Sequence, residues 1–145
     1  LAEGFDAVVG TLAVERPSEL AGLPADRVVL ALDLKAGRLC VRGWQARAAC
    51  LEAEVFEALR SLGFDRALVT DVGRDGTLEG PGLGAIRCVV REGFRVQASG
   101  GIRDLADLQT LAVEPGVVGA IVGRALLEGH LDLSDPVLGP FLKGA

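Results

Sequence analysis

The sequence predicts an α/β fold of the (βα)-barrel type, and three observations carry that prediction. Short apolar runs rich in Val, Ile, Leu and Ala alternate with helix-like stretches. The unit recurs at roughly 30 to 35 residues, the size of a βα pair with its loops. Polar and glycine-rich clusters follow the C-terminal ends of several successive runs. A β-α-β-α order implies a parallel sheet with right-handed crossovers, which an open doubly wound sheet and a barrel both satisfy. The clusters decide for the barrel, where the C-terminal strand ends form one ring and distant residues share a single site.

Taken in order, the strands are expected at 7–9, 28–32, 67–69, 95–98 and 119–122. These runs lack strict alternation, as expected for parallel strands buried on both faces. Helix-like stretches lie at 17–23, 49–62, 83–92 and 105–113. The second of them sets Leu51, Val55, Ala58, Leu59 and Leu62 on one stripe, with Glu52, Glu54, Glu57 and Arg60 largely outside it, which is an amphipathic helix. About five strands are too few to close an eight-stranded barrel. No linker divides the chain, so residues 1–145 are expected to form a single, incomplete barrel domain.

Composition excludes several function classes. The chain has 145 residues, half of them hydrophobic and 20 of them glycine, a globular composition rich in tight turns. A net charge of -5 at pH 7 argues against a nucleic-acid surface, which needs a basic stripe. Cys40, Cys50 and Cys88 form no CxxC pair and there is one histidine, His130. A zinc site or disulfide framework is therefore not expected, and a reducing cytoplasm fits best. No apolar run approaches the roughly 18 residues of a membrane span, so no membrane partner is expected. The chain contains no methionine and opens on Leu1-Ala2-Glu3-Gly4-Phe5, which suggests a piece of a longer protein.

The candidate chemistry lies at the strand ends. In Ala98-Ser99-Gly100-Gly101-Ile102-Arg103-Asp104 a strand runs into a small-residue turn and then a helix. Gly100 and Gly101 lack Cβ atoms, so their N–H groups can approach an anion closely, near the positive end of a helix. The next strand ends Ile121-Val122-Gly123-Arg124 and offers the same arrangement. Two adjacent strands of this kind resemble the phosphate site made by the last two strands of many barrels. Gly10 and Thr11, after the first strand, are a weaker candidate for a second anion site. Asp33 closes the apolar run 28–32, and a carboxyl group at an apolar rim holds a proton more readily, which suits a general acid or base. Asp71 and Asp75 flank a loop beginning at Thr70, whose hydroxyl suits a sugar hydroxyl. Trp44 sits in the polar stretch Val41-Arg42-Gly43-Trp44, as a packing residue or as an aromatic lid over a flat heterocycle.

Together these segments resemble the HisA family, the phosphoribosylformimino-5-aminoimidazole carboxamide ribotide isomerases of histidine biosynthesis. The resemblance lies in four blocks: 32–44, 70–81, 98–103 and 121–129. It implies the C-terminal part of a (βα)₈ TIM-type barrel, about strands 4 to 8, and an Amadori rearrangement of an aminoaldose to an aminoketose without metal or organic cofactor. It further implies that Asp33 is the general acid toward the ribose ring oxygen. Thr70 assists catalysis by holding a ribose hydroxyl, Asp75 binds substrate from the neighbouring loop, and Trp44 lies on the loop covering a phosphorylated, ribose-containing substrate. Gly100, Gly101, Gly123 and Arg124 bind one phosphate, and Gly10 and Thr11 share in the other. The family's general base lies on the first strand, so the chain is expected to need the missing N-terminal portion for turnover. Three alternatives stay open: the sister HisF cyclase barrel; a bifunctional isomerase that also serves tryptophan synthesis, which Arg42 would suit; and a non-catalytic phosphate-binding half-barrel that self-associates through open strand edges. A dinucleotide-binding fold is disfavoured, because no GxGxxG opens a helix here.

Overall fold

The computed structural model describes Gly4, residues 6–48 and residues 52–141. Within them seven strands form one sheet: β1 (Ala7–Val9), β2 (Val28–Lys35), β3 (Arg38–Val41), β4 (Ala46–Arg47), β5 (Arg66–Asp71), β6 (Arg95–Ser99) and β7 (Val117–Ile121). The helices are α1 (Thr11–Glu15), α2 (Glu52–Ser61), α3 (Leu83–Arg91), α4 (Leu105–Ala112) and α5 (Arg124–Leu127). Strands β1, β2, β5, β6 and β7 pair in parallel in that order. This is the partial barrel that the alternating runs predict. Among the described residues, no helix is long and apolar enough to cross a membrane.

The register explains why the sheet has one dry face and one open one. Leu30, Leu32 and Leu34 of β2, Ala67 and Val69 of β5, and Val96 and Ala98 of β6 are all buried. They pack with Val55, Phe56 and Leu59 of α2, Ile86 and Val89 of α3, and Leu108 and Leu111 of α4 in one core cluster. The alternate residues Ala31, Leu68 and Gln97 are half-buried and lie in a single register row on the other face. Alternation is thus present in β5 and β6, contrary to the expected double burial. In β5 it is hidden in the sequence because Leu68 fills the open-face position, whereas in β6 the polar Gln97 and Ser99 mark that face.

Three expected elements are corrected. The stretch 17–23 is only a 3₁₀ turn at Pro17–Leu20, whereas the residues after the first strand, Thr11–Glu15, form helix α1. Helix α2 is described from Glu52, and 49–51 lie outside the described residues. Its buried stripe includes Phe56, while Glu52 reaches back to Arg38. Asp33 does not close its strand. β2 continues to Lys35 and turns through Ala36 and Gly37, at φ 50° and 76°, into β3. Two consecutive positive φ values in a two-residue loop make the turn that matches strand twist in a hairpin. β3 then takes the same side of β2 that β1 occupies lower down, so the β3–β4 hairpin sits over the C-terminal end of β1.

At the opposite, N-terminal end of the sheet, acidic residues clamp neighbouring strand starts. Asp6 accepts from Arg27 and Arg66, both at 2.8 Å, and Asp65 forms a two-point pair with Arg95. The hydrogen bond from Arg27, then that from Arg66, holds the Asp6 carboxyl below its ordinary value. A lowered folded-state value stabilises the protein above the ordinary Asp range, and the contribution is lost as pH falls through the lowered one.

Candidate active site

The parallel register sets four residues side by side at the C-terminal end of the open face. Asp33 pairs with Thr70, Thr70 with Ser99, and Ser99 with Ile121. Residues paired in this way project to the same face, and adjacent strands lie about 4.8 Å apart. Asp33 is therefore one strand from Thr70 and about 10 Å from Ser99. Asp71, one residue beyond Thr70, belongs to the helix side. Its Oδ1 accepts from the Gly73 N–H at 3.0 Å, and a Cβ at Gly82 would overlap its side chain. This separates the two carboxylates of the 70–77 loop: Asp71 organises the turn, and Asp75 is left exposed at the cavity.

A cavity of about 350 Å³ opens beside this row. Three successive βα loops line it: Asp75, Gly76 and Leu78 after β5; Ser99, Gly100, Gly101 and Ile102 after β6; and Ile121, Gly123, Arg124 and Leu127 after β7. Gly100, Gly101, Gly123, Arg124 and Asp75 thus come together as the sequence suggests, and Ser99 joins them through its register. The glycines differ in what they are for. Gly100 and Gly101 adopt φ 91° and 81°, a region that disfavours any side chain. Gly123 has φ -112°, and a Cβ there would meet nothing within 4 Å. Packing therefore does not require glycine at 123. We expect Gly123→Ala to leave the melting temperature unchanged while weakening phosphate binding by about tenfold, the cost of one lost charge-assisted N–H contact. Calorimetric titration with phosphate, beside a thermal melt, checks both halves.

Two expected donors are otherwise engaged. The positive end of α4 is answered by the chain itself, since Asp104 Oδ1 accepts from the Asp107 N–H at 3.1 Å. The guanidinium of Arg124 donates to the Gly76 carbonyl and pairs with Glu128 at 2.6 Å. Arg124 therefore ties the β7 loop to the β5 loop, and its place in the cavity is as wall.

The other end of the row is covered by the hairpin tip. Arg42, Gly43 and Trp44 all have positive φ, at 58°, 62° and 67°. This left-handed run is unfavourable at the two non-glycine positions, and both side chains make polar contacts with the sheet side of the hairpin while staying largely exposed. The Trp44 indole N–H donates to Asp33 Oδ2 at 2.8 Å. The Arg42 N–H donates to the Thr11 hydroxyl at 2.9 Å, while its guanidinium pairs with Glu15 of α1. Gly10 and Thr11 thus lie under the hairpin, next to Asp33 but away from the cavity that Gly100 and Gly101 line. Among the described residues, no group of three or more His, Cys, Asp and Glu is placed to hold a metal ion.

Comparison with known proteins follows the same outline. The model of the family described as histidine biosynthesis protein matches residues 1–132. A relative from Sorangium cellulosum (strain So ce56) is 46% identical over 142 residues, covering 94% of this chain and 59% of its own length. Relatives from Moorella thermoacetica and Thermomicrobium roseum are 41% and 43% identical, covering 93% and 89% of this chain and 58% and 54% of their own lengths. All three are named as isomerases of an imidazole-4-carboxamide carrying two phosphoribosyl groups. The chain spans little more than half the length of these relatives. With a matching model over nine-tenths of its length and relatives 41–46% identical over about as much of it, the chain belongs to the histidine biosynthesis protein family.

Proposed function

We propose that this chain supplies the acid side and one phosphate site of an aldose–ketose isomerase acting on a doubly phosphoribosylated imidazole carboxamide. The observation that carries the reading is the register row Asp33–Thr70–Ser99, which runs from a carboxylate to the wall of a glycine-lined cavity. In an Amadori rearrangement the aminoaldose ring opens as its ring oxygen is protonated. The resulting protonated imine loses the proton on C2 to give an enaminol, which takes a proton at C1 as its C2 hydroxyl loses one, and so becomes the aminoketose. Asp33 gives a proton to the ring oxygen. Thr70 holds a ribose hydroxyl one strand away, and Asp75 reaches the sugar from the loop above.

The Gly100–Gly101 and Gly123–Arg124 turns take one phosphate through backbone N–H groups, and Gly10 and Thr11 contribute to the other. Trp44, released from Asp33 as substrate enters, covers the heterocycle. The proton on C2 goes to a base outside the residues named here. Loss of an acid–base partner costs about 10² to 10⁴-fold, so the chain alone is slow and recovers when the remaining length of a relative is added.

A second reading is favoured by one observation. Val8, Val118 and Ile121 are 61%, 59% and 46% exposed, on strands that among the described residues pair on one side only. Such edges and apolar patches invite association, either with the rest of a barrel or with a second copy. One experiment addresses both readings: an isomerase assay of the 145-residue chain, alone and with the remaining stretch of the Sorangium protein, alongside sedimentation at several concentrations. Turnover restored by the added stretch supports the first reading. Absence of turnover in the mixture sinks it, and a monomer mass at every concentration sinks self-association.

A further inference from the structure

We propose that Arg103 and Asp107 are positioning residues for the phosphate-binding turn, acting on the ligand only through the backbone they fix. The inference rests on the phosphate reading of the Gly100–Gly101 cavity and deepens it. Asp107 is 4% exposed, and a buried carboxylate is costly unless its oxygens are answered. All three donors that answer it come from one residue. The Arg103 N–H and Nε donate to Oδ2, both at 2.9 Å, and Nη2 donates to Oδ1 at 2.7 Å. The main-chain contact fixes the peptide joining Ile102 to Arg103, directly after two glycines whose backbone freedom is otherwise the largest in the chain.

The other side of the guanidinium abuts Gly80, where a Cβ would stand 3.4 Å from Nη2. Gly80 in turn donates its N–H to the Gly101 carbonyl at 2.9 Å, and its own carbonyl accepts from Arg74 at 3.2 Å. The turn is thus held from both sides, by helix α4 through Asp107 and by the Asp75-bearing loop through Gly80. Neither Arg103 nor Asp107 lines the cavity.

The alternatives predict opposite signs. If these residues acted through charge alone, Asp107→Asn would tighten anion binding by removing a nearby negative charge, and Arg103→Lys would bind as the parent does. If they act by geometry, both substitutions break the two-point pair and weaken binding by about tenfold or more, since misplacement of donors by about an ångström is enough. The test is a titration of the ¹⁵N-labelled 145-residue chain with inorganic phosphate, following the amides of Gly80, Gly101 and Gly123. In the parent, Gly101 and Gly123 shift with saturation and Gly80 shifts with them. Arg103→Lys and Asp107→Asn weaken that binding at unchanged overall dispersion. If either substitution proves poorly folded, Asp107→Glu, which keeps the charge and displaces the carboxylate from the Arg103 N–H, is expected to weaken phosphate in the same way. Parent-like affinity in the folded variants, or tighter binding in Asp107→Asn, overturns the positioning role and leaves the phosphate site standing. A parent chain whose glycine amides do not respond overturns both.

Discussion

Asp33→Asn, in the chain supplemented with the remaining stretch of a relative, is expected to lower isomerase turnover by about 10² to 10⁴-fold, the range for removal of a general acid. The substitution is informative because of what it leaves alone. Asparagine keeps a side-chain oxygen where Asp33 Oδ2 accepts from the Trp44 indole, so the hairpin retains its anchor. The glycine-lined cavity begins at Ser99, two strands and about 10 Å away, so any phosphate affinity there is expected to stay unchanged. The loss therefore falls on kcat with KM nearly unchanged, the pattern of an interaction made in the transition state alone. Trp44 is the sole tryptophan and there is no tyrosine, so intrinsic emission reports on the hairpin tip directly. Emission identical to the parent's, with turnover lost, assigns the loss to chemistry at residue 33. Turnover retained to within threefold removes Asp33 from the acid role.

How far the sequence reaches can be judged from particular residues. The parallel strands were legible because a strand with a helix-covered face reads as an apolar run, as at 28–32 and 67–69. The glycine turns at 100–101 and 123 were legible as turns because glycines follow the strand ends directly. What was not legible depends on long-range pairing. Ser99 is an ordinary small residue until the β5–β6 register places it level with Thr70. The β2–β3 hairpin was missed because its turn is Ala36-Gly37, and alanine at positive φ gives no warning that the more usual Asn-Gly or Asp-Gly pair would. The aim of Trp44 depends on left-handed backbone at Arg42 and Trp44, which neither residue type favours. Arg124 illustrates the reverse: its position beside Gly123 suggested a phosphate ligand, but Glu128 one helical turn on and the Gly76 carbonyl across the cavity engage its guanidinium.

Gly101→Ala is expected to destabilise the chain by about 2 to 5 kcal/mol, from two separable causes. Residue 101 has φ 81°, and a non-glycine residue in left-handed backbone costs about 1 to 2 kcal/mol. Its new Cβ would stand 2.3 Å from the Gly80 carbonyl oxygen and 3.1 Å from the Arg74 Cβ. The first neighbour is backbone, held by the Arg74 guanidinium and by the Gly80 N–H bond to residue 101 itself, so it cannot turn aside as a flexible side chain would. Overpacking of this kind costs about 1 to 3 kcal/mol. Chemical denaturation should show a lower midpoint at unchanged slope. Phosphate affinity should fall as well, because the loop that must move carries Asp75 and borders the cavity. The comparison with Gly123→Ala gives the result its meaning. Both substitutions add one methyl group to the same cavity rim, but only residue 101 has backbone against it. Equal destabilisation by the two would show that the β7 turn is as tightly built as the β6 turn, and would remove the reason for assigning Gly123 to the ligand.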